Sequence, residues 1–275
     1  MGSIVEGREE DGVLGLAATD VFKSLEDKKV EVETGDEAQE EQQTPQTISG
    51  KGEDASSDSP PTVESVVEEA PSSPPTVTFS YAVSITFLEV YGEEVRDLLS
   101  PSRGSIQLRD VFEPKMNGSG SQMEATGEVS LVGCTERDVK STEDCIKGAV
   151  EGMERRATGS TNMNLHSSRS HAVFQIYITQ NTCVTSPTLL ATTKKEKTVT
   201  TTTSKITFVD LAGSERQKKS GASGSRLTEG ININKGLLVL GNVISSLSEI
   251  GKGEEGRNIH VPFRESKLTR ILRSR

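Results

Sequence analysis

The stretch that most constrains the fold is Ile206-Thr207-Phe208-Val209-Asp210-Leu211-Ala212-Gly213-Ser214-Glu215. A β-branched and aromatic run reads as a strand. It ends in Asp210, and Gly213 follows a short turn later. A carboxylate at a strand's C-terminal end can hold a magnesium ion through water. A glycine just beyond it can bring its N–H up to a phosphate, because no Cβ blocks the approach. Taken alone, the pattern fits an ordinary turn cap about as well. Asn164-Leu165-His166-Ser167-Ser168-Arg169-Ser170-His171 adds weight. Its two adjacent hydroxyls, Ser167 and Ser168, can serve as a metal ligand and a phosphate hydrogen bond. Arg169 can pair with Glu215 and link the two loops, although an exposed ion pair would contribute less than ~1 kcal/mol.

Around these stretches, strands and helices alternate, which indicates an α/β sheet covered on both sides. Gly12–Lys29 reads as a helix, with Leu14, Ala17, Ala18, Val21, Phe22 and Leu25 at helical spacing. Val77–Tyr91 alternates as a strand, and Glu93–Leu99 reads as a short helix stopped by Pro101. Residues 102–130 are polar and Gly-rich, and read as a loop with short hairpin strands. Thr142–Ala157 reads as a helix capped by Ser141 or Thr142. Ala172–Thr179 reads as a strand, Ile231–Leu247 as a helix, and a last helix starts at Ser266.

Two segments do not fit this alternation. Residues 33–76 hold six of the ten Pro, eleven acidic residues, one Lys and no aromatic. Such a stretch buries too little apolar area to offset its ordering entropy, and reads as an acidic, disordered insertion. It accounts for the whole net charge of −10, since the other 30 basic and 30 acidic residues cancel. Thr182–Ser204 is a Thr-rich insertion, expected to join two strands as a long hairpin. Three Cys without metal-ligand spacing fit a reducing, intracellular setting. No run of 18 apolar residues occurs, so no membrane span is expected. No heptad run suggests an oligomer, and the oligomeric state stays open.

Further stretches follow in order: Phe87–Leu99 (Phe-Leu-Glu-Val-Tyr-Gly-Glu-Glu-Val-Arg-Asp-Leu-Leu), Glu229–Leu237 (Glu-Gly-Ile-Asn-Ile-Asn-Lys-Gly-Leu), Leu240–Ile244 (Leu-Gly-Asn-Val-Ile) and Val261–Arg270 (Val-Pro-Phe-Arg-Glu-Ser-Lys-Leu-Thr-Arg). With Asn164–His171 and Asp210–Glu215, this set resembles the kinesin motor domain. The resemblance implies a kinesin-like P-loop NTPase sheet flanked by helices. Residues 1–32 would follow the phosphate loop, 33–76 would be inserted, and 77–275 would form the remainder, with 182–204 as a loop insertion. Asn164–His171 would be switch I: Asn164, Ser167 and Ser168 on the nucleotide, Ser168 on magnesium, Ser167 near γ-phosphate and attacking water. In switch II, Asp210 would hold magnesium through water and Gly213 would sense γ-phosphate. Glu215 would pair with Arg169 and help to position water.

The implied cofactors are ATP and Mg2+, and the implied partner is the microtubule, in the cytoplasm. Between Arg216 and Arg275 twelve Lys or Arg face five Glu, a local +7 that suits an acidic polymer such as tubulin. By the same resemblance Lys218, Lys219, Arg226, Lys235, Arg264, Lys267 and Arg270 would meet it. Nucleic acid is not expected, since no aromatic platform interleaves these charges. No G-x-x-x-x-G-K-S/T run occurs in the chain. The resemblance therefore places that loop, the first strands, the last helix and the neck outside it, and implies little ATP turnover by this polypeptide alone. A microtubule-binding module without hydrolysis, or a fragment with neither activity, are the alternatives.

Overall fold

A computed structural model of the chain describes residues 12–40, 76–102, 104–117, 120–158, 169–186, 196–213, 225–251 and 259–273. Two compact units divide it. One holds Met1–Asp20, Ala82–Ile178 and Ser204–Arg275; the other holds Val21–Tyr81 and Thr179–Thr203.

The larger unit is built on strand β1 (Thr76–Tyr91), whose residues 83–90 are all buried. Continuous burial is what a central strand covered on both faces requires. One edge of β1 pairs antiparallel with β2 (Glu94–Asp97) and with β5 (Arg137–Val139). Beyond its other edge lie β6 (Ser170–Ser186) and then β7 (Glu196–Asp210).

Helix α2 (Thr142–Thr158) covers the face carrying Ile85 and Phe87. Ser141 caps it, its Oγ accepting the Asp144 N–H at 3.3 Å. The buried stripe Cys145, Gly148, Ala149, Gly152, Arg156 is small along most of its length, so α2 lies close on the sheet. A Cβ added at Gly152 would sit 2.2 Å from Phe87 Cδ1, and one at Gly148 would sit 2.4 Å from Ile85 Cδ1. Gly152→Ala is therefore expected to destabilise the fold by about 2 kcal/mol through overpacking, read as a shift of the urea midpoint.

On the opposite face Leu88, Val90, Val95, Ile106, Val173, Leu268 and Ile271 form one buried cluster. Leu240 of α3 (Ser225–Gly251) packs against it, as does Leu272 of the short helix α4 (Lys267–Leu272). The sheet is thus covered on both faces, as the alternating pattern requires. On this face Gln175 is buried, and its amide is satisfied across strands. Thr86 Oγ1 donates to Gln175 Oε1 (3.3 Å), and Gln175 Nε2 donates to Thr207 Oγ1 (3.3 Å). Helix α3 leaves Leu238, Ile244, Leu247 and Ile250 exposed.

Strands β6 and β7 and helix α3 run longer than expected, the two strands taking in much of the Thr-rich insertion, and three further elements differ from the sequence expectation. Residues 94–97 form strand β2, where a helix over 93–99 is expected. Gly92 at φ 58° opens a two-residue turn with Tyr91 opposite Glu94, and Val95 and Asp97 then point inward. Four residues are too few to reveal their period. Asp97 ends the strand fully buried, accepting N–H bonds from Leu99 (2.8 Å), Ser100 (3.2 Å) and Thr135 (2.7 Å). Second, β3 (Gln107–Asn117) and β4 (Gly120–Val132) make a long two-stranded hairpin rather than a loop with short strands. Third, α1 (Val13–Glu40) runs past Lys29 and into the acidic segment. Glu, Gln and Ala are strong helix formers, so backbone helix propagates there without an apolar stripe. The rest of that segment, 41–75, and residues 187–195 of the Thr-rich insertion lie outside the described residues.

In the smaller unit Phe79 is buried, with the Lys28 ammonium 4.8 Å above its ring and Tyr81 beside it at 6.2 Å. Lys28 also donates to Gln180 Oε1 (2.8 Å), and Tyr81 donates to Glu26.

Candidate functional site

The last turn of α2 points Arg156 at the ends of two strands. Its side chain is 2% exposed. Nη1 donates to Asp210 Oδ2 at 2.9 Å, at the C-terminal end of β7. Nη2 donates to the Ser170 carbonyl at 2.7 Å and to Ser170 Oγ at 3.2 Å, at the start of β6. Glu89 of β1, also buried, places Oε1 3.8 Å from Nε. A buried guanidinium is strongly unfavourable without counter-charge, and two carboxylates supply it here. The planar fork matters, because a single point charge could not satisfy two strand ends at once.

His171, next along β6, is 3% exposed, and its Nδ1 accepts the Ala212 N–H at 2.9 Å. The neutral ring therefore carries its proton on Nε2. Burial, and then the nearby Arg156 charge, push its pKa down to about 4 against the opposing pull of Asp210. The ring stays neutral near pH 7 and remains an acceptor for the loop that follows Asp210. Gly236 of α3 is buried next to it, and a Cβ added there would lie 3.8 Å from His171 Nε2. One imidazole thus bonds the Asp210–Gly213 loop and lies beside Gly236 of α3.

Of the expected site residues, Asp210 and Gly213 lie together at the end of β7, Gly213 half-buried. Arg169 is half-buried immediately before β6, so its backbone adjoins the Ser170 carbonyl that Arg156 holds. Asn164, Ser167, Ser168, Glu215, Lys218 and Lys219 lie outside the described residues, as does the side chain of Arg226 in the first turn of α3. Lys235 is exposed on α3. Arg264 stands in a single 3-10 turn (Phe263–Glu265) with its side chain 62% exposed, and Lys267 is half-buried at the start of α4. Arg270 of α4 pairs with Asp110 at 3.2 Å.

Sequence reasoning assigns no role to Arg156, Glu89 or His171. The signal for Arg156 was available: positions 145, 149, 152 and 156 form one helical stripe, and a charge on a core stripe needs a partner. Among the described residues no cluster of three or more His, Cys, Asp or Glu could hold a metal ion. No described helix is long and apolar enough to cross a membrane.

A family model described as the kinesin motor domain matches residues 1–275. Kinesin-like protein KIN-4C of Oryza sativa subsp. japonica is 43% identical over 197 residues, 70% of this chain and 15% of that protein. Chromosome-associated kinesin KIF4B of Homo sapiens is 43% identical over 194 residues, 70% of this chain and 14% of its own length. A solved KIF14 dimer, in a two-heads-bound state with AMP-PNP and in complex with a microtubule, superposes with TM-score 0.57 at 27% identity. That match covers 98% of this chain and 57% of the other. The chain belongs to the kinesin motor domain family. It spans 14–15% of the length of these two curated relatives.

Proposed function

We propose that this chain is part of the motor domain of a microtubule-based, ATP-hydrolysing motor. It would supply the γ-phosphate side of the nucleotide site and the face that grips the polymer. The observation that carries this reading is the Arg156 fork, which ties the β6 start to the β7 end. The two loops that must close on one triphosphate leave from those two ends.

The donor chemistry suits magnesium. That ion takes one or two protein oxygens, keeps several waters and fills the remainder with phosphate oxygens, so it needs no all-protein cage. Asp210, with its side chain 31% exposed, and the Ser168 hydroxyl would hold it. When bound, magnesium would neutralise charge on the β- and γ-phosphates. The Gly213 N–H, Ser167 and Asn164 would orient the nucleotide, and Arg169 with Glu215 would close the loops and position water. The Arg156 contact on Asp210 Oδ2 holds that carboxylate in place and would compete with an added cation. The segment 235–270 would carry the polymer contact through Lys235, Arg264, Lys267 and Arg270, joined by Lys218, Lys219 and Arg226. Residence on cytoplasmic microtubules follows from this reading.

The test is co-sedimentation with microtubules. The chain is expected to pellet at about 0.02 M salt and to be largely released by about 0.3 M, where the Debye length has fallen to roughly 6 Å and long-range attraction to the polymer is screened. No pelleting at low salt would count against the reading. A second reading, which the exposed Lys235 and Arg264 support equally, is a microtubule-binding module without hydrolysis. Release of the pelleted chain by magnesium and ATP would exclude it.

A further inference from the structure

The basic face carries an acid of its own. Asp110, in β3 beside the hairpin's bulge, reaches two of the arginines assigned to the polymer. Its Oδ2 lies 3.3 Å from Arg264 Nη2 and its Oδ1 lies 3.2 Å from Arg270 Nη2. Arg270 Nη2 also donates to the Leu108 carbonyl at 3.4 Å, and so stays anchored to β3 by a second bond. Arg273 lies over the Phe263 ring at 5.4 Å and against Gly127 of β4, where an added Cβ would be 2.8 Å from its Nη2. The base of the hairpin thus faces the same 263–273 segment that would face the polymer.

Arg264 differs from the other two arginines. It is 62% exposed, and among the described residues the Asp110 carboxylate is its ion-pair partner. A guanidinium forks best onto one carboxylate at a time. An acidic polymer approaching this face therefore competes with Asp110 for Arg264 Nη2, and does so against the negative charge of Asp110 itself. We propose that Asp110 is an internal competitor of the acidic polymer, holding Arg264 and Arg270 in the unbound state and weakening attachment. This rests on the polymer-binding face proposed above. The expected size is that of exposed ion pairs, about two- to five-fold in affinity.

Asp110→Asn keeps the side chain's shape and removes its charge. Co-sedimentation at low salt is expected to show about two- to five-fold tighter microtubule binding than the parent chain. Asp138→Asn, at an exposed position of β5, makes the same change in net charge and is expected to tighten binding less. Arg264→Gln is expected to cost more affinity in the Asp110→Asn background than in the parent, because the guanidinium is then available to the polymer. Unchanged or weaker binding by Asp110→Asn, with equal Arg264→Gln effects in both backgrounds, would reduce Asp110 to a staple for the hairpin and overturn the proposal. So would equal tightening by Asp138→Asn, which would make net charge the whole cause. If Asp110→Asn does not melt like the parent, Arg264→Gln in the parent decides: a loss below about two-fold supports competition, and a loss of about ten-fold or more refutes it. A parent chain that does not pellet at all removes the polymer-binding reading, and this proposal falls with it.

Discussion

Arg156→Leu is expected to lower the unfolding free energy by about 4 kcal/mol. The guanidinium is enclosed and touches both strand ends, so its removal deletes the bonds to Asp210 and Ser170 and the positive charge facing Glu89. Losing one partner of a buried ion pair is far more destabilising than replacing the whole pair with apolar groups. A second substitution should therefore rescue: Glu89→Leu in the Arg156→Leu background is expected to recover a large part of the loss. Arg156→Lys should not, because one ammonium cannot bond Ser170 and Asp210 together in the fork's geometry. Urea unfolding of the four chains measures this. A loss under about 1 kcal/mol for Arg156→Leu would show that the fork does not hold the two strand ends together.

The second large effect is a dependence on pH. His171 has its folded-state pKa pushed down to about 4, against 6.5 for the ordinary side chain, by burial and by Arg156. The sign follows from which state takes up the proton. Below pH 6.5 the unfolded chain protonates His171 while the folded chain does not, so stability drains away as pH falls. The contribution is complete above pH 6.5 and is lost by pH 4, a total of about 3 kcal/mol. Charging the ring would also remove the acceptor for the Ala212 N–H and place a second positive charge beside Arg156. Urea midpoints between pH 7 and pH 4.5 should fall steeply for the parent and more gently for His171→Gln, whose side-chain oxygen can still accept but does not titrate. Equal slopes for the two would remove His171 as the source.

Where a segment is long and its burial periodic, the sequence is a sound guide. Strand β1 and helix α2 stand within a residue of their expected bounds, because Val83, Ile85 and Phe87 alternate and Cys145–Gly152 repeats at helical spacing. Strand β2 was not legible, because a four-residue strand is defined by the turn at Gly92 rather than by its own pattern. The length of the β3–β4 hairpin was hidden by its polar composition. Its strands bury little, and they are held at the base by Asp110 pairs that no local signal predicts. The candidate site was legible in kind: Asp210, Gly213 and Arg169 stand at the ends of neighbouring strands. Its organiser was not, because Arg156 lies far from Asp210 in sequence and meets it only once α2 lies down on β1. The closeness of that approach depends on two glycines, Gly148 and Gly152.

Cryo-electron microscopy of this chain on microtubules tests the proposed polymer-binding face most directly. Density should place Lys235 of α3, Arg264 of the 263–265 turn and Arg270 of α4 against the acidic surface of tubulin. The Arg156–Asp210 contact should lie behind them, away from the polymer. Density that instead sets α2, through Glu143, Lys147 and Glu154, on the microtubule would contradict it, because the basic face would then point into solvent.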